Sequence, residues 1–301
     1  MAGSSSSHEY SILHLWEFLA CGICGISMSR DFKIHSICVV KNEGDVIRAG
    51  LQAASEWSDR IIVYDNQSDD DTWEVVRSMA SEKIIPWKQD GKVFQESLRA
   101  EVFNAFRAGS RPGDWWCHLD ADEFYVENPR QFLSQVPWHY HVIWGIAVEF
   151  YLTEKDVAPD YRLQSEVPAA DLSRLRYYSV NNSEPRFFRD RQRLVWPDDT
   201  GWPLNMGPVY PKRLLYKHYK YRSPEQMQLR LQTRLKAISG GFPGWEHARA
   251  GDWREKVHPS GTLRKHDSGR FEYDASKLPK HLDPLVKRSA KLLLHGLGIL
   301  P

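Results

Sequence analysis

Cysteine is scarce in this chain of 301 residues, limited to Cys21, Cys24, Cys38 and Cys117. Thiols so few and so unevenly placed exclude a secreted scaffold stapled by disulfides. Cys21 and Cys24 form a C-x-x-C pair, but no second pair follows at zinc-finger spacing, so they read as inert thiols rather than metal ligands. Net charge is nearly missing too. The 40 Lys and Arg against 39 Asp and Glu leave a formal charge of +1, which gives no whole-molecule field for a nonspecific nucleic-acid binder. Nucleic acid is not an expected partner. No apolar run reaches the roughly 20 residues that span a bilayer. The stretch from Ile12 to Met28 is broken by His14 and Glu17, and no Lys or Arg precedes it. That pattern argues against a signal peptide and predicts a cytoplasmic protein, with residues 1–30 set apart as a non-core extension. A Gly-rich phosphate loop and a second, well-separated acidic set are also lacking, which argues against a two-metal nucleotidyltransferase or phosphohydrolase.

What is present is a chain with 42% hydrophobic residues, long enough for one large core or two fused ones. From Lys33 it alternates regularly. Ile34 to Val40 ("IHSICVV") predicts a strand, Asp45 to Trp57 a helix and Arg60 to Tyr64 ("RIIVY") a second strand. Thr72 to Ala80 then reads as a helix, Ile84 to Trp87 as a strand, Gln95 to Ala108 as a helix and Trp115 to Leu119 as a strand. Strands alternating with helices predict a parallel α/β sheet, with ligands just outside the carboxyl ends of its strands.

Polar residues gather at those ends: Lys41-Asn42-Glu43 after the first strand, Asp65 to Asp71 after the second, and Asp120-Ala121-Asp122-Glu123 after the fourth. In "DNQSDDDT", Asp71 or Thr72 reads as the cap of the following helix. Asp65, directly at its strand end, is placed to accept hydrogen bonds from a base or a ribose. In "WWCHLDADEFY" three carboxylates stand together, which raises their mutual repulsion unless a cation or a strong donor set offsets it.

The segments "VVKNEGDVI", "VYDNQSDDDT" and "WWCHLDADEFY", in that order, resemble the core of family-2-like glycosyltransferases, in the branch carrying K-N-E and D-A-D-E-F. The likeness covers about residues 34 to 135. It implies a GT-A fold, with a mostly parallel sheet flanked by helices and a mixed α+β acceptor part. It also implies transfer of a sugar, by an inverting course, from a nucleoside-diphosphate sugar to a hydroxyl of a glycan, polysaccharide or glycolipid, a lipid-linked acceptor included. Contacts to the donor are implied for Lys41, Asn42, Glu43, Asp65, Asn66, Ser68, Arg99 and Asp120. A divalent metal, Mn²⁺ or Mg²⁺, is implied on Asp122, with Asp120 near the ribose or reaching the metal through water and His218 as a further ligand. Such a hard cation stabilises charge on a leaving diphosphate. The base that takes the acceptor proton stays open among Asp198, Asp199, Glu149 and Glu184, with Asp199 and Asp198 at the chain distance the likeness suggests. A noncatalytic carbohydrate-binding protein on the same fold is the remaining alternative.

Beyond residue 140 the strand-like runs are His141 to Tyr151, Glu184 to Asp190 and Arg213 to Tyr219, separated by loops carrying Trp196, Trp202 and Trp245. Ser223-Pro224-Glu225-Gln226 combines an N-cap, a Pro at the first helical position and a capping-box Gln, so a helix starts there. Its free N–H groups are expected to face a diphosphate, with His218 at the cation and Arg222 at the leaving phosphate as a catalytic contact. These elements place the transferase domain at 31–240 and a helical extension at 241–301. In that extension Lys280, Lys287, Arg288 and Lys291 interleave with Leu285, Leu292, Leu293 and Leu294. The pattern reads as a last helix packed on the domain, with a peripheral membrane contact as the second option.

Overall fold

The computed structural model describes residues 31–157, 171–241 and 251–299. The C-x-x-C pair, the apolar stretch before residue 31 and Trp245 lie outside the described residues. Strands β1 (Ile34–Val40), β2 (Arg60–Asp65), β3 (Ile84–Gln89) and β4 (Trp115–Leu119) form where the β-branched and aromatic runs stand. They lie side by side and parallel in the order β3-β2-β1-β4. Helices α1 (Ile47–Ser55), α2 (Thr72–Ser78) and α3 (Leu98–Phe106) connect them.

Every residue of β1 is buried, as a strand covered on both faces requires. Ile34, Cys38 and Val40 pack with Ile47, Leu51 and Ala54 of α1, whereas Ile37 and Val39 pack with Leu98, Val102 and Phe103 of α3. The period-two alternation of the strand therefore serves two helical layers at once.

The rest of the sheet departs from the expected mostly parallel pattern. β5 (Glu123–Tyr125), β6 (Val142–Tyr151), β7 (Tyr177–Arg189), β8 (Leu214–His218) and β9 (Arg264–Lys265) extend it, giving the path β3-β2-β1-β4-β7-β6-β8-β5 with β9 on β7. The pairs β4–β7, β6–β7, β5–β8 and β7–β9 are antiparallel, while β6–β8 is parallel. The sheet is mixed because β6 and β7 run as a long antiparallel pair beside the parallel strands. A further core, with Phe150, Tyr178, Tyr219, Met227 and Leu231, draws in Trp253 and Leu278 from beyond residue 250. Helix α4 (Pro129–Ser134) follows β5, α5 (Pro224–Ser239) follows β8, and α6 (Leu285–Gly296) comes last. No helix among the described residues is long and apolar enough to cross a membrane.

Gly50 shows how closely α1 meets the acidic loop. A Cβ there would stand 2.2 Å from the backbone oxygen of Ala121, between Asp120 and Asp122. A helix-interior glycine lowers intrinsic helix stability, and here it admits the loop against the helix. Gly50→Ala is expected to destabilise the protein by about 1–3 kcal/mol through overpacking, read as a lower melting temperature. An unchanged melting temperature would contradict this packing.

Candidate functional site

The carboxyl ends of β1, β2 and β4 open into a cavity of about 510 Å³. Its walls carry Lys41, Asn42 and Glu43 from the first strand end, Asn66, Gln67 and Asp69 from the second, and Asp120 and Asp122 from the fourth. Arg99 of α3 and Arg230, Thr233, Arg234 and Lys236 of α5 complete it, with Lys92, Val93 and Phe94 on the loop before α3. Apart from Asp65 and Ser68, every residue the family likeness assigned to the donor lines this cavity.

Asn42 and Gln67 adopt left-handed backbone conformations, with φ of 57° and 54°. Such strain in non-glycine residues persists where surrounding bonds enforce it. The Asn42 amide N–H donates to Ser68 Oγ at 2.9 Å, its side-chain oxygen accepts from the Asp69 N–H at 2.7 Å, and its Nδ2 donates to Thr233 Oγ1 at 3.0 Å. Lys41 Nζ donates to the carbonyls of Asn66 and Gln67 at 2.8 and 2.7 Å. The first two strand ends and α5 are thereby tied together.

Asp65 lies behind this surface. Its carboxylate accepts from Ser68 N at 2.8 Å, Ser68 Oγ at 2.6 Å and Gln89 Nε2 at 3.1 Å, so Asp65 and Ser68 shape the turn that presents Asn66 and Gln67. Thr72 takes its bond from Asp70, whose carboxylate accepts the Thr72 N–H at 3.0 Å, while Asp71 makes no side-chain cap bond.

The acidic loop is charge-compensated from inside the protein. Asp120 accepts from Arg99 Nη2 at 2.7 Å, with His118 at 3.5 Å and Arg186 at 3.8 Å. Burial works against its charge, yet Arg99 and His118 hold it well below the usual carboxylate range. Asp122 is buried and has His218 Nε2 at 3.6 Å, Arg222 at 3.5 Å and Arg230 at 3.4 Å around one oxygen. Burial would raise its pKa, and His218, Arg230 and Arg222 together lower it. Glu123 is buried against Arg186, which also reaches Glu184 at 2.6 Å and the Tyr216 hydroxyl at 2.6 Å. Glu43 bonds Arg222 at 2.6 Å and Arg230 at 2.8 Å. Its carboxyl is pushed up to about 7 by burial, against the pull of Arg222, with Asp122 adding to the rise.

Strand register brings His218 here. It pairs with Glu123 across the antiparallel β5–β8 ladder and with Glu149 across the parallel β6–β8 ladder. Its ring thus stands between Asp122 and Glu149, whose Oε1 is 3.8 Å from Nδ1. Glu149 also accepts from Lys220 at 2.9 Å and from the Tyr151 hydroxyl at 2.7 Å.

Helix α5 starts at the expected Ser223, whose hydroxyl accepts the Gln226 N–H. Its orientation differs from the expectation. The middle and last turns line the cavity, whereas Pro224 and Glu225 border a shallow pocket beside Trp253. The cause is Arg222, which is fully buried at the start of the helix and bonds Glu43, Asp45, Asp122 and the Tyr219 carbonyl. These acceptors occupy its guanidinium from every side and leave it no role on the cavity wall. The cations of this helix that line the cavity begin with Arg230, two turns on. Sequence reading stopped short of it, although Gln226, Arg230 and Arg234 recur at i, i+4 along one helix face.

The four proposed proton acceptors separate. Asp198 and Asp199 are exposed, and Asp198 accepts from Asn104 of α3 at 3.0 Å. Glu149 and Glu184 each stand one side chain away from the acidic loop, through His218 and Arg186 respectively. Among the described residues, no three His, Cys, Asp or Glu groups converge as a metal-binding cluster.

No protein-family model matches the chain. Over 92 residues it is 32% identical to an uncharacterized glycosyltransferase of Rickettsia prowazekii, a match covering 30% of this chain and 28% of that protein. An uncharacterized glycosyltransferase of Rickettsia typhi matches equally, at 32% over 92 residues and 28% of its length. The chain therefore spans little more than a quarter of these relatives, and over that part its similarity supports a glycosyltransferase.

Proposed function

We propose that the protein transfers a sugar from a nucleoside-diphosphate sugar to a hydroxyl of a glycan, polysaccharide or glycolipid. The observation that carries this reading is the cavity at the strand ends, whose walls carry Lys41, Arg99 and Arg230 as well as Asp120 and Asp122 of the acidic loop. Arg99 and Arg230 both line this cavity, and phosphate oxygens are the acceptors that match arginine best. On this reading the parallel strands β3-β2-β1-β4 are the nucleotide-binding half of a GT-A fold, and β6, β7 and β8 carry the acceptor side.

In the reaction the bond between the anomeric carbon and the diphosphate oxygen breaks and the acceptor oxygen bonds that carbon. The acceptor proton passes to a carboxylate, and the electron pair leaves with the diphosphate. Arg99 and Arg230 oppose the charge that gathers there, and a preorganised contact of this kind acts most strongly in the transition state. Glu149 and Glu184 are the proton acceptors placed nearest the acidic loop, and an inverting course needs one of them on the far side of the sugar.

Asp122 and His218, one carboxylate and one imidazole with donor atoms 3.6 Å apart, fit a divalent cation that takes its other ligands from phosphate and water. Bound there, Mn²⁺ or Mg²⁺ supplies Lewis-acid stabilisation of the leaving diphosphate. A second reading rests on the arginines. Asp120 and Asp122 each already have two guanidinium neighbours, and a metal-free variant relies on those groups alone.

Release of nucleoside diphosphate from a panel of sugar donors tests the proposal. Arg230→Ala is expected to cost about 2–4 kcal/mol of transition-state stabilisation, with Arg230→Lys recovering only part because it lacks the planar fork. Arg222→Ala should instead lower the melting temperature, since it strands buried carboxylates at a cost of about 3–5 kcal/mol. Release by no donor, or parental turnover in Arg230→Ala, counts against the reading.

Metal dependence is checked separately. Asp122→Asn should abolish transfer, Asp120→Asn should be milder, and His218→Ala should raise the Mn²⁺ concentration for half-maximal rate. Full turnover after EDTA treatment would exclude the cation and favour the arginine-only variant.

A further inference from the structure

Helix α6 differs from the other long helices in burying no residue. Arg288, Lys291, Leu292, Leu294 and His295 are its half-buried positions; Leu292 packs on the first core and His295 lies 3.3 Å from Arg191. Val286, Ala290, Leu293 and Leu297 follow the same spacing on another face, and all four are exposed. Val286 is 84% exposed, Leu297 64% and the following Ile299 61%. Of the large apolar side chains exposed among the described residues, nearly half fall between Leu285 and Ile299, so the exposure is concentrated rather than scattered.

The charges that neighbour this stripe in sequence are mostly basic. Lys277, Lys280, Lys287 and Lys291 stand against Asp274 and Asp283, of which Asp283 pairs with Lys287 and Lys291.

We infer that this face docks on an anionic lipid bilayer, with the apolar stripe at the acyl boundary and the exposed lysines against the headgroups. An amphipathic helix with a basic flank binds such a surface through buried apolar area plus attraction to acidic lipid. A second copy of this chain is the poorer occupant. A stripe of four side chains falls far short of the roughly 800 Å² per partner that a stable interface buries, and like cations would oppose each other.

Sedimentation of the full chain with vesicles tests this. Vesicles of equimolar phosphatidylglycerol and phosphatidylcholine should bind it, phosphatidylcholine alone only weakly, and raised salt should release it. Val286→Asp with Leu293→Asp should lower the partition coefficient about tenfold or more. Lys280→Glu with Lys287→Glu should lower it comparably on the anionic vesicles, and provides an independent reading if the apolar variant fails to fold. Binding that both pairs leave unchanged would assign it to another segment and overturn the inference. So would a dimer in sedimentation equilibrium that Val286→Asp dissociates.

Discussion

The site depends on the compensation of an acidic loop by arginines that come from far along the chain. Asp120, Asp122 and Glu123 repel one another, and burial in a low-dielectric interior sharpens that repulsion. Arg99, Arg186, Arg222 and Arg230 offset it, each bonded to or within 3.8 Å of one of these carboxylates. Removing one partner from such a network leaves an uncompensated buried charge, which costs far more than a surface pair contributes. The network also explains a division of labour. Arg222 is consumed in joining the K-N-E segment to the acidic loop, whereas Arg99 and Arg230 line the cavity.

Sheet architecture does the rest of the positioning. The parallel half delivers three polar strand ends to one edge, and the mixed half brings β8 back beside β5 so that His218 faces Asp122. Because that placement is a matter of register, a slip of one residue would turn His218 to the opposite face of the sheet. The side chains of Asn42, Thr233, Glu43 and Arg230 then fasten α5 over the strand ends. The last turns of that helix carry a partial negative charge, and Arg230, Arg234 and Lys236 make its cavity-lining face cationic nonetheless.

Much of this was legible in the sequence where the signal is local. The four parallel strands follow their β-branched runs closely, and Ser223-Pro224 marks the helix start to the residue. What escaped depends on long-range pairing. The antiparallel β6–β7 pair has no turn signature because a long excursion separates its strands. Arg186 looks like any alternating strand residue, and only the fold brings it beneath Glu123. Asp65 reads as a ligand contact from its place at a strand end; the local bonds from Ser68 and the long-range one from Gln89 that its carboxylate accepts are visible only in the structure. The basic amphipathic pattern at the end of the chain was visible too, but which face of α6 packs inward required the structure.

The most direct measurement is a crystal structure of the protein with a nucleoside diphosphate and Mn²⁺. The account predicts the diphosphate in the cavity at the ends of β1, β2 and β4, with phosphate oxygens on Arg99 or Arg230 and the base or ribose beside Asn66 and Gln67. A nucleotide bound elsewhere, or phosphates turned away from both arginines, would contradict it.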